Sequence, residues 1–342
     1  MRIRMTRTVF FLMFVILVRD VAAAPKFRLK IAATPPERSI WGKMLKQIAD
    51  DVKKSSDGQV QIKVYAGGVQ GDERTVVRKM RIGQLQGAAL VGQGVQLVCP
   101  DSTALSLPFL FRTEAEVQHA LENLVPSLQA KARERGYEIL AWSNVGFSHL
   151  YSRDPVTSVQ AFRKAKPWQI ESDPLTRNLL EELQVTGVPT GVGNVLTSLQ
   201  TGLLRTIFSP PSPLIALQWH SRVKYRLDVN LMYSLGVFVI HRKAWKRLPE
   251  ETQKAVRDVF TRRNAELNEK AHKQNLEAMK VIEKQGVKVI SIEPESLVKF
   301  REAARRVGEK MAGKDFSRET LDRIRRLLKE FRASSGESKS DG

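Results

Sequence analysis

The sequence predicts an α/β fold of two lobes, each a mixed sheet flanked by helices, with one long helix spanning both lobes. Strand-like and helix-like segments alternate along the chain, and this alternation occurs in two successive series. A helical pattern runs without a clear break from residue 249 to about residue 285. The 342 residues are enough for two lobes of ordinary domain size.

The first series begins near the amino terminus. Alternating polar and apolar residues predict strands at residues 27–33 and 60–65, with a third, short strand at residues 88–91. Between them, residues 39–54 and 73–82 have the apolar spacing of amphipathic helices. This order favours parallel strands joined by crossover helices.

The second series has the same construction and predicts a second lobe. The first lobe is expected to comprise residues 25–146 and 234–273, and the second residues 147–233 and 274–331. The long helix, residues 249–285, would connect them, although two helices separated by a kink fit the same pattern. The other predicted elements are helices at 113–135, 174–184 and 195–201, and strands at 137–142, 168–171, 206–208, 237–241 and 287–292.

Residues 1–24 have the pattern of a cleavable secretory signal. Arginines come first, an apolar run at residues 9–18 follows, and small residues 22–24 end the segment. The run is well short of the roughly 20 residues that span a bilayer. We therefore expect a periplasmic mature chain; the alternative is an uncleaved anchor, because residues 19 and 20 are charged. Residues 332–342 are rich in Ser, Lys and Gly and are expected to be a disordered tail.

Composition narrows the classes of partner. Cys99 is the single cysteine, which excludes an intrachain disulfide and a structural zinc site built on cysteines. The formal net charge is +20, yet the basic residues are interleaved with acids along most predicted helices and form no single block. Together with the secretory signal, this distribution predicts a solvated basic surface and no nucleic-acid partner.

Catalytic motifs do not occur in the sequence. It contains no Gly-x-Ser-x-Gly, His-Glu-x-x-His or Gly-x-Gly-x-x-Gly after a strand, and no phosphate-binding Gly-Lys-Ser loop. Its 5 histidines stand singly and far apart. We expect neither an enzyme nor a metal or cofactor site, although a catalytic group assembled only in space is not visible in a sequence.

Aromatic residues at strand ends and in loops are typical of an apolar pocket between two lobes. The alternative for each is ordinary core packing. The candidates are Trp142, Phe147, Trp168, Phe208, Trp219 and Tyr233.

Six motifs occur along the chain in a fixed order. They are Ser39-Ile40-Trp41-Gly42, residues 64–74 with Gly67-Gly68 and Gly71-Asp72-Glu73-Arg74, residues 107–111, Ser198-Leu199-Gln200-Thr201-Gly202, Ala244-Trp245, and Leu248-Pro249-Glu250-Glu251. In this order the motifs resemble those of the DctP-type periplasmic binding proteins of TRAP (tripartite ATP-independent periplasmic) transporters. The resemblance covers about residues 26–331.

The resemblance implies a type II-like periplasmic binding protein of two lobes that close on a small organic ligand. It also implies delivery of that ligand to membrane permease subunits. Relatives of this subtype sometimes act with a periplasmic tetratricopeptide-repeat protein, and the basic surface would suit an acidic face of such a partner.

The polar anchors that the resemblance implies are missing here. A ligand-binding arginine usually stands in a strand that matches residues 166–169, and Trp168 occupies its place. A second arginine commonly follows Gly-Phe, whereas Ser148 follows here, and residues 206–211 lack the asparagine of a later loop. Guanidinium groups bind carboxylates in pairs of charge-assisted hydrogen bonds, and an indole offers one donor.

We therefore expect an apolar cleft that takes a hydrophobic or amphipathic molecule, with any acidic head turned toward solvent or Arg74. The alternatives are an ordinary organic acid bound by another basic residue, and a ligand-sensing subunit of the same fold. The predicted ligand-binding residues are Trp168, Phe147, Ser148, Phe208, Pro210, Pro211, Trp142, Trp219, Tyr233, Gln70, Glu73 and Arg74.

Overall fold

The computed structural model describes residues 25–334, so the predicted signal at residues 1–24 lies outside the described residues. The strands are β1 Phe27–Ala33, β2 Val60–Tyr65, β3 Gly87–Val91, β4 Tyr137–Ser152, β5 Trp168–Ile170, β6 Val188–Thr190, β7 Thr206–Ser209, β8 Tyr225–Leu227, β9 Met232–His241 and β10 Lys288–Ile290. The helices are α1 Ile40–Ser55, α2 Glu73–Arg81, α3 Gln93–Val98, α4 Glu114–Glu134, α5 Val159–Lys164, α6 Pro174–Glu182, α7 Val195–Thr201, α8 Pro211–Ala216, α9 Arg242–Trp245, α10 Glu250–Lys284, α11 Pro294–Met311 and α12 Arg318–Ser334.

The first lobe is built on a sheet with the order β2-β1-β3-β9-β4. Strands β1, β2 and β3 are parallel, as predicted, and β9 and β4 continue the sheet in antiparallel fashion. Helix α1 is capped by Ser39, whose hydroxyl accepts a hydrogen bond from the backbone nitrogen of Gly42. Its apolar side, with Leu45, Ile48 and Val52, is completely buried against this sheet and α10.

The second lobe uses the carboxyl half of β4. This half pairs with β7 and β8, and β8 pairs with β10. Strands β5 and β6 form a separate parallel pair, which one bridge between Pro167 and Thr206 joins to β7. The core of this lobe is rich in aromatic residues, including Tyr151, Trp168 and Trp219.

Strand β4 is continuous between the lobes, whereas the sequence predicted that it ends at Trp142. Polar residues and a glycine at residues 143–146 interrupt the alternating pattern, and the pairing with β9 shifts register twice in this region. Side chains from α10 satisfy the polar groups there: Asn264 accepts from Ser143, and Asn275 Nδ2 donates to the Val145 carbonyl over 2.8 Å. The strand that links the lobes is therefore bulged here and held by the long helix.

Helix α10 confirms the predicted long helix and is a single element. Val256 and Phe260 pack in the core of the first lobe, and Ile282 packs with the aromatic core of the second. Within residues 25–334, no helix is both long and apolar enough to cross a lipid bilayer.

The carboxyl-terminal helices α11 and α12 were not predicted. Helix α11 packs on α6 of the second lobe, but α12 packs on α4 of the first. Leu321, Ile324 and Leu328 are buried there, and the Arg332 guanidinium binds the buried Glu116 carboxylate over 2.6 Å. Helix α12, which was expected to belong to the second lobe, thus packs on a helix expected in the first, and it includes residues 332–334 of the expected tail.

Candidate functional site

Two cavities lie in the cleft between the lobes and adjoin each other. The smaller has a volume of about 160 Å³ and the larger about 580 Å³, and both are lined by Pro213 and Leu217. A third cavity, of about 940 Å³, lies away from the cleft, between residues 107–112 and the helices α11 and α12. The two adjoining cavities form the candidate ligand site.

The smaller cavity receives residues from both lobes and from the strands that cross between them. Since it lies at the carboxyl ends of β3, β5 and β7, its position is the usual ligand position of α/β folds. The first lobe contributes Gly92, Gln93, Gln96 and Ser106; the second contributes Trp168, Ile170, Asp173, Leu175, Thr176, Phe208, Ser209, Pro210, Pro213, Leu217 and Trp219; and the crossing strands contribute Ser148, Met232, Tyr233 and Ser234.

Trp168 forms the aromatic wall of the smaller cavity. Its ring stacks on Phe208, with centroids 5.2 Å apart and 25° between the planes, and meets Trp219 edge to face at 5.4 Å. The indole Nε1 donates to the Thr190 carbonyl over 2.8 Å. Because that bond uses the single indole donor, Trp168 offers a ligand its apolar surface only.

Asp173 is the only charged side chain among the described residues that line the smaller cavity. It is 4% exposed and precedes α6, where its Oδ2 accepts from the backbone nitrogen of Thr176 over 3.0 Å. Its other oxygen, Oδ1, is buried and has no hydrogen-bond partner within residues 25–334. Burial raises the pKa of Asp173, and interactions with Thr176 and with the backbone of Leu175 oppose this shift.

The crossing strands form the back of the smaller cavity. Tyr233 packs edge to face on Phe147, with centroids 4.9 Å apart, so that Phe147 lies behind it. The hydroxyls of Ser148 and Ser234 are hydrogen-bonded to each other over 3.2 Å. Burial raises the pKa of Tyr233 further above its ordinary value, so the phenol is neutral at physiological pH.

The larger cavity is mainly apolar. Its walls include Trp41 and Val91 from the first lobe, and Ala271 and Ala278 from α10. Among the described residues that line it, the charged side chains are Arg38 and Glu277, and both are exposed at its edge. The remaining lining residues are Thr34, Pro35, Pro36, Ser39, Ile40, Val145, Val192, Ser212, Pro213, Ile215, Ala216, Leu217, Gln274, Asn275 and Val281.

A direct contact joins the lobes at the edge of the cleft. Gln93 Nε2 donates to the carbonyl of Glu171 over 3.2 Å. The Glu73 carboxylate holds the segment that carries Gln93, because Oε1 accepts from the Val91 nitrogen over 2.8 Å and Oε2 from the Gly94 nitrogen over 2.6 Å. Burial raises the pKa of Glu73 to about 7 against these hydrogen bonds.

Six of the twelve predicted ligand-binding residues line the smaller cavity. They are Ser148, Trp168, Phe208, Pro210, Trp219 and Tyr233. The structure does not bring the other six into either cleft cavity. Phe147 and Trp142 pack in the core, Pro211 begins α8, Gln70 accepts two hydrogen bonds from Lys79, Glu73 holds backbone nitrogens, and Arg74 is exposed on α2.

Sequence reasoning missed several polar residues of the cavity, chiefly Gln93, Gln96, Asp173 and Ser234. One signal could have found Asp173. It stands between a predicted strand and a predicted helix, at the kind of strand end where α/β folds bind ligands. Within residues 25–334, no group of His, Cys, Asp and Glu side chains is placed to hold a metal ion.

Comparison with known proteins gives a consistent result. The family model of DctP, bacterial extracellular solute-binding protein, family 7, matches residues 31–315. A solute-binding protein of Verminephrobacter eiseniae is 22% identical over 247 residues, which cover 72% of this chain and 73% of the relative.

Two solved structures are similar over most of their length. A TRAP periplasmic solute-binding protein from Xanthobacter autotrophicus with bound β-D-galacturonate has a TM-score of 0.81 at 20% identity, covering 88% of this chain and 99% of that one. The sugar acid binding protein DctPAm from Advenella mimigardefordensis, in complex with galactonate, has a TM-score of 0.81 at 19% identity, with coverages of 90% and 99%. At these identities the likeness shows a shared two-lobe fold.

Proposed function

The chain belongs to the DctP family of bacterial extracellular solute-binding proteins, and from this premise we propose that it captures a hydrophobic or amphipathic organic ligand between its lobes. Members of this family are binding receptors and not enzymes, and TRAP solute-binding proteins act with membrane permease subunits. Delivery of an apolar or amphipathic ligand to such a permease is the function that this cleft supports best.

The observation that carries the proposal is the charge of the smaller cavity. Its described lining contains no lysine or arginine, and its charged side chain is the acid Asp173. A charge-assisted hydrogen bond contributes about 1.5–3 kcal/mol, and burying a carboxylate without one costs several kcal/mol. A ligand carboxylate beside Asp173 and Trp168 would meet repulsion from an ionised Asp173 and no compensating cation.

The shape of the cleft supports an amphipathic ligand in particular. The smaller cavity combines aromatic rings with a few polar groups, and the larger one is lined mainly by aliphatic residues and prolines. Because the two adjoin at Pro213 and Leu217, a polar head in the first can continue into an apolar tail in the second. Each buried methylene of such a tail contributes about 0.8 kcal/mol.

Titration calorimetry tests the proposal against the ordinary organic acids of the family. We expect 1-hexanol to give saturable heat, and D-galacturonate and galactonate, the acids bound by the similar structures, to give none at millimolar concentration. Saturable binding of either sugar acid with no binding of 1-hexanol would contradict the proposal and return the protein to organic-acid uptake.

The site of action and the lobe arrangement complete the proposal. The family is extracellular, which supports a periplasmic protein exported by the signal at residues 1–24. We assign the first lobe to residues 25–146, 234–273 and 318–334, and the second to residues 147–233 and 274–317.

The alternative is that the same fold reports ligand occupancy to a membrane receptor. Uptake assays separate the two roles in a permease-deleted strain and in a strain that exports only a tagged variant unable to bind ligand. Transport predicts that both strains lose uptake of the ligand, and sensing predicts that uptake is unchanged.

A tetratricopeptide-repeat partner is a further part of the proposal. The lining of the third cavity includes the basic residues Arg301 and Arg305 of α11 and Lys329 of α12, several leucines, and the acids Asp228 and Glu309. Such a lining suits an acidic face that also offers apolar side chains. Cross-linking in cells should capture an acidic repeat protein, and the double variant R301E/R305E should lose it; capture that the variant leaves unchanged would contradict this partner face.

A further inference from the structure

The two oxygens of the Asp173 carboxylate differ in their hydrogen bonding. Oδ2 binds the first turn of α6 through the Thr176 nitrogen, whereas Oδ1 has no hydrogen-bond partner within residues 25–334. The side chain lines the smaller cavity and is 96% buried, since its exposed fraction is 4%. A buried carboxylate oxygen without a partner costs free energy, and a donor that reached Oδ1 from the cavity would offset that cost.

The surroundings of Asp173 restrict the kind of donor. The described lining offers no second charged group, and four aromatic side chains stand around the same space: Trp168, Phe208, Trp219 and Tyr233. Aromatic faces attract organic cations, and a carboxylate forms its strongest hydrogen bonds with charged donors. A head group with an N–H donor and a positive charge satisfies both features at once.

We propose that Asp173 is the specificity-determining residue of the cleft and binds the ammonium group of an amphipathic amine, whose apolar part occupies the larger cavity. This inference rests on the proposed function, because it assumes a ligand in the cleft, and it deepens that function by naming the head group. It reverses the charge preference of the sugar-acid receptors that share the fold.

Four probes with one hexyl chain test the inference by titration calorimetry: hexylamine, 1-hexanol, 1-methoxyhexane and hexanoate. They present a charged donor, a neutral donor, no donor and a carboxylate. We expect wild-type protein to bind hexylamine most tightly, at least about tenfold more tightly than 1-methoxyhexane, and hexanoate most weakly.

Asp173→Asn removes the charge and keeps a good helix cap, so it separates binding from folding. We expect this variant to lose the preference for hexylamine over 1-methoxyhexane while its unfolding midpoint stays near that of wild type. Asp173→Ser, also a good cap, gives a second variant if the first folds poorly. The matched control is Asp72→Asn, because Asp72 caps α2 in the same way, accepting from the Thr75 nitrogen over 2.8 Å, and lies outside the cleft cavities.

The outcomes distinguish this inference from the proposed function. If the three uncharged or cationic probes bind equally and Asp173→Asn changes nothing, Asp173 is only a helix cap, while the apolar cleft stands. If hexanoate binds most tightly, both the inference and the proposed function are wrong. A loss of the hexylamine preference in Asp72→Asn as well would also overturn the inference, because the effect would then not come from the cavity.

Discussion

The indole of Trp168 lies stacked on the ring of Phe208, with 5.2 Å between the ring centroids. The family resemblance implies an arginine at this position, and the stack places an aromatic wall there instead. Trp168 is also fixed by its hydrogen bond to Thr190. The same contacts thus stabilise the second lobe and set the apolar character of the cleft.

Substitutions at Trp168 should separate these two roles. Trp168→Phe keeps a ring on Phe208 and loses the bond to Thr190, so we expect the free energy of unfolding to fall by about 1 kcal/mol. Trp168→Ala should lower the free energy of unfolding by about 3–5 kcal/mol, because it opens a cavity in the core. It should also abolish binding of 1-hexanol, because it removes the aromatic wall of the smaller cavity. Urea unfolding and calorimetry measure both effects.

Trp245→Phe is the control for the Trp168 variants. Trp245 is equally buried, at 4% exposure, and belongs to the core of the first lobe. It should leave the affinity for 1-hexanol unchanged. Equal losses of affinity in Trp168→Ala and Trp245→Phe would show that Trp168 acts only through stability.

The loop that carries Gln93 should depend on Glu73. In Glu73→Gln, an amide NH₂ replaces one acceptor facing the backbone nitrogens of Val91 and Gly94, which should cost about 1–3 kcal/mol of stability and weaken 1-hexanol binding. Because burial raises the pKa of Glu73 from 4.5 to about 7, the folded state holds a proton there that the unfolded state releases. The free energy of unfolding of wild-type protein should therefore decrease as the pH rises from about 4.5 to 7, because of the titration of Glu73. The Glu73→Gln variant should lack this part of the pH dependence.

Arg74→Gln is the control for Glu73, since Arg74 is the exposed neighbour on α2. Its unfolding curve and its 1-hexanol affinity should match those of wild type between pH 5 and 8. An unchanged pH dependence in Glu73→Gln would contradict the assignment of this titration to Glu73.

Asp101 should make the attachment of α12 sensitive to acid. Burial alone would raise its pKa, but hydrogen bonds from Lys131, Ser317 and Thr320 outweigh burial and lower the pKa to about 2. Since the pKa is 3.8 without these contacts, the stability they provide is present above pH 4 and is lost as the pH falls toward 2. The contribution is about 2 kcal/mol.

Asp101→Asn checks this account by chemical unfolding at several pH values. The variant should be less stable than wild type at pH 7, and the difference should shrink toward pH 2. A difference that is constant over this range would mean that the Asp101 charge does not hold α12.

Asn275 should control the hinge between the lobes. Its Nδ2 donates to the Val145 carbonyl in the bulged part of β4, and its Oδ1 accepts from the Ser212 nitrogen at the start of α8 over 3.0 Å. Asn275→Ala removes both bonds and should lower the free energy of unfolding by about 1–3 kcal/mol. It should also increase the radius of gyration in solution scattering, because the two lobes lose the link that Asn275 makes between β4 and α8.

Lys273→Ala is the matched control on α10, because Lys273 is exposed and pairs with Glu269 on the same helix. It should change stability by less than about 0.5 kcal/mol and leave the scattering unchanged. Identical behaviour of Asn275→Ala and wild type would contradict the role of Asn275 in the hinge.

The elements that the sequence predicts well are those whose pattern is local. Strands β1 and β2 and the long helix α10 follow directly from alternation and helical spacing. Strand β4 was predicted too short, because its continuation beyond Trp142 depends on Asn264 and Asn275, which lie far away in sequence. Helices α11 and α12 were missed because the many charged residues they carry mask a narrow apolar side.

Of the candidate site, the sequence predicts part of the lining, and the apolar character of the ligand stays a prediction. The replacement of an implied arginine by Trp168 is visible in the sequence and predicts an apolar cleft. The unpartnered oxygen of Asp173 is not visible, because it depends on which atoms α6 uses and on which side chains of the first lobe face it. The same holds for Glu73, whose carboxylate proves to hold a backbone loop.

Native mass spectrometry of the exported protein, purified without refolding, tests the central claim most directly when whatever co-purifies is extracted and identified. A ligand held in a closed cleft stabilises the folded protein and often survives purification. The account predicts an amphipathic or hydrophobic compound, absent from preparations of Trp168→Ala. A sugar acid or another small carboxylate in its place would contradict the apolar cleft and require a cation at the smaller cavity.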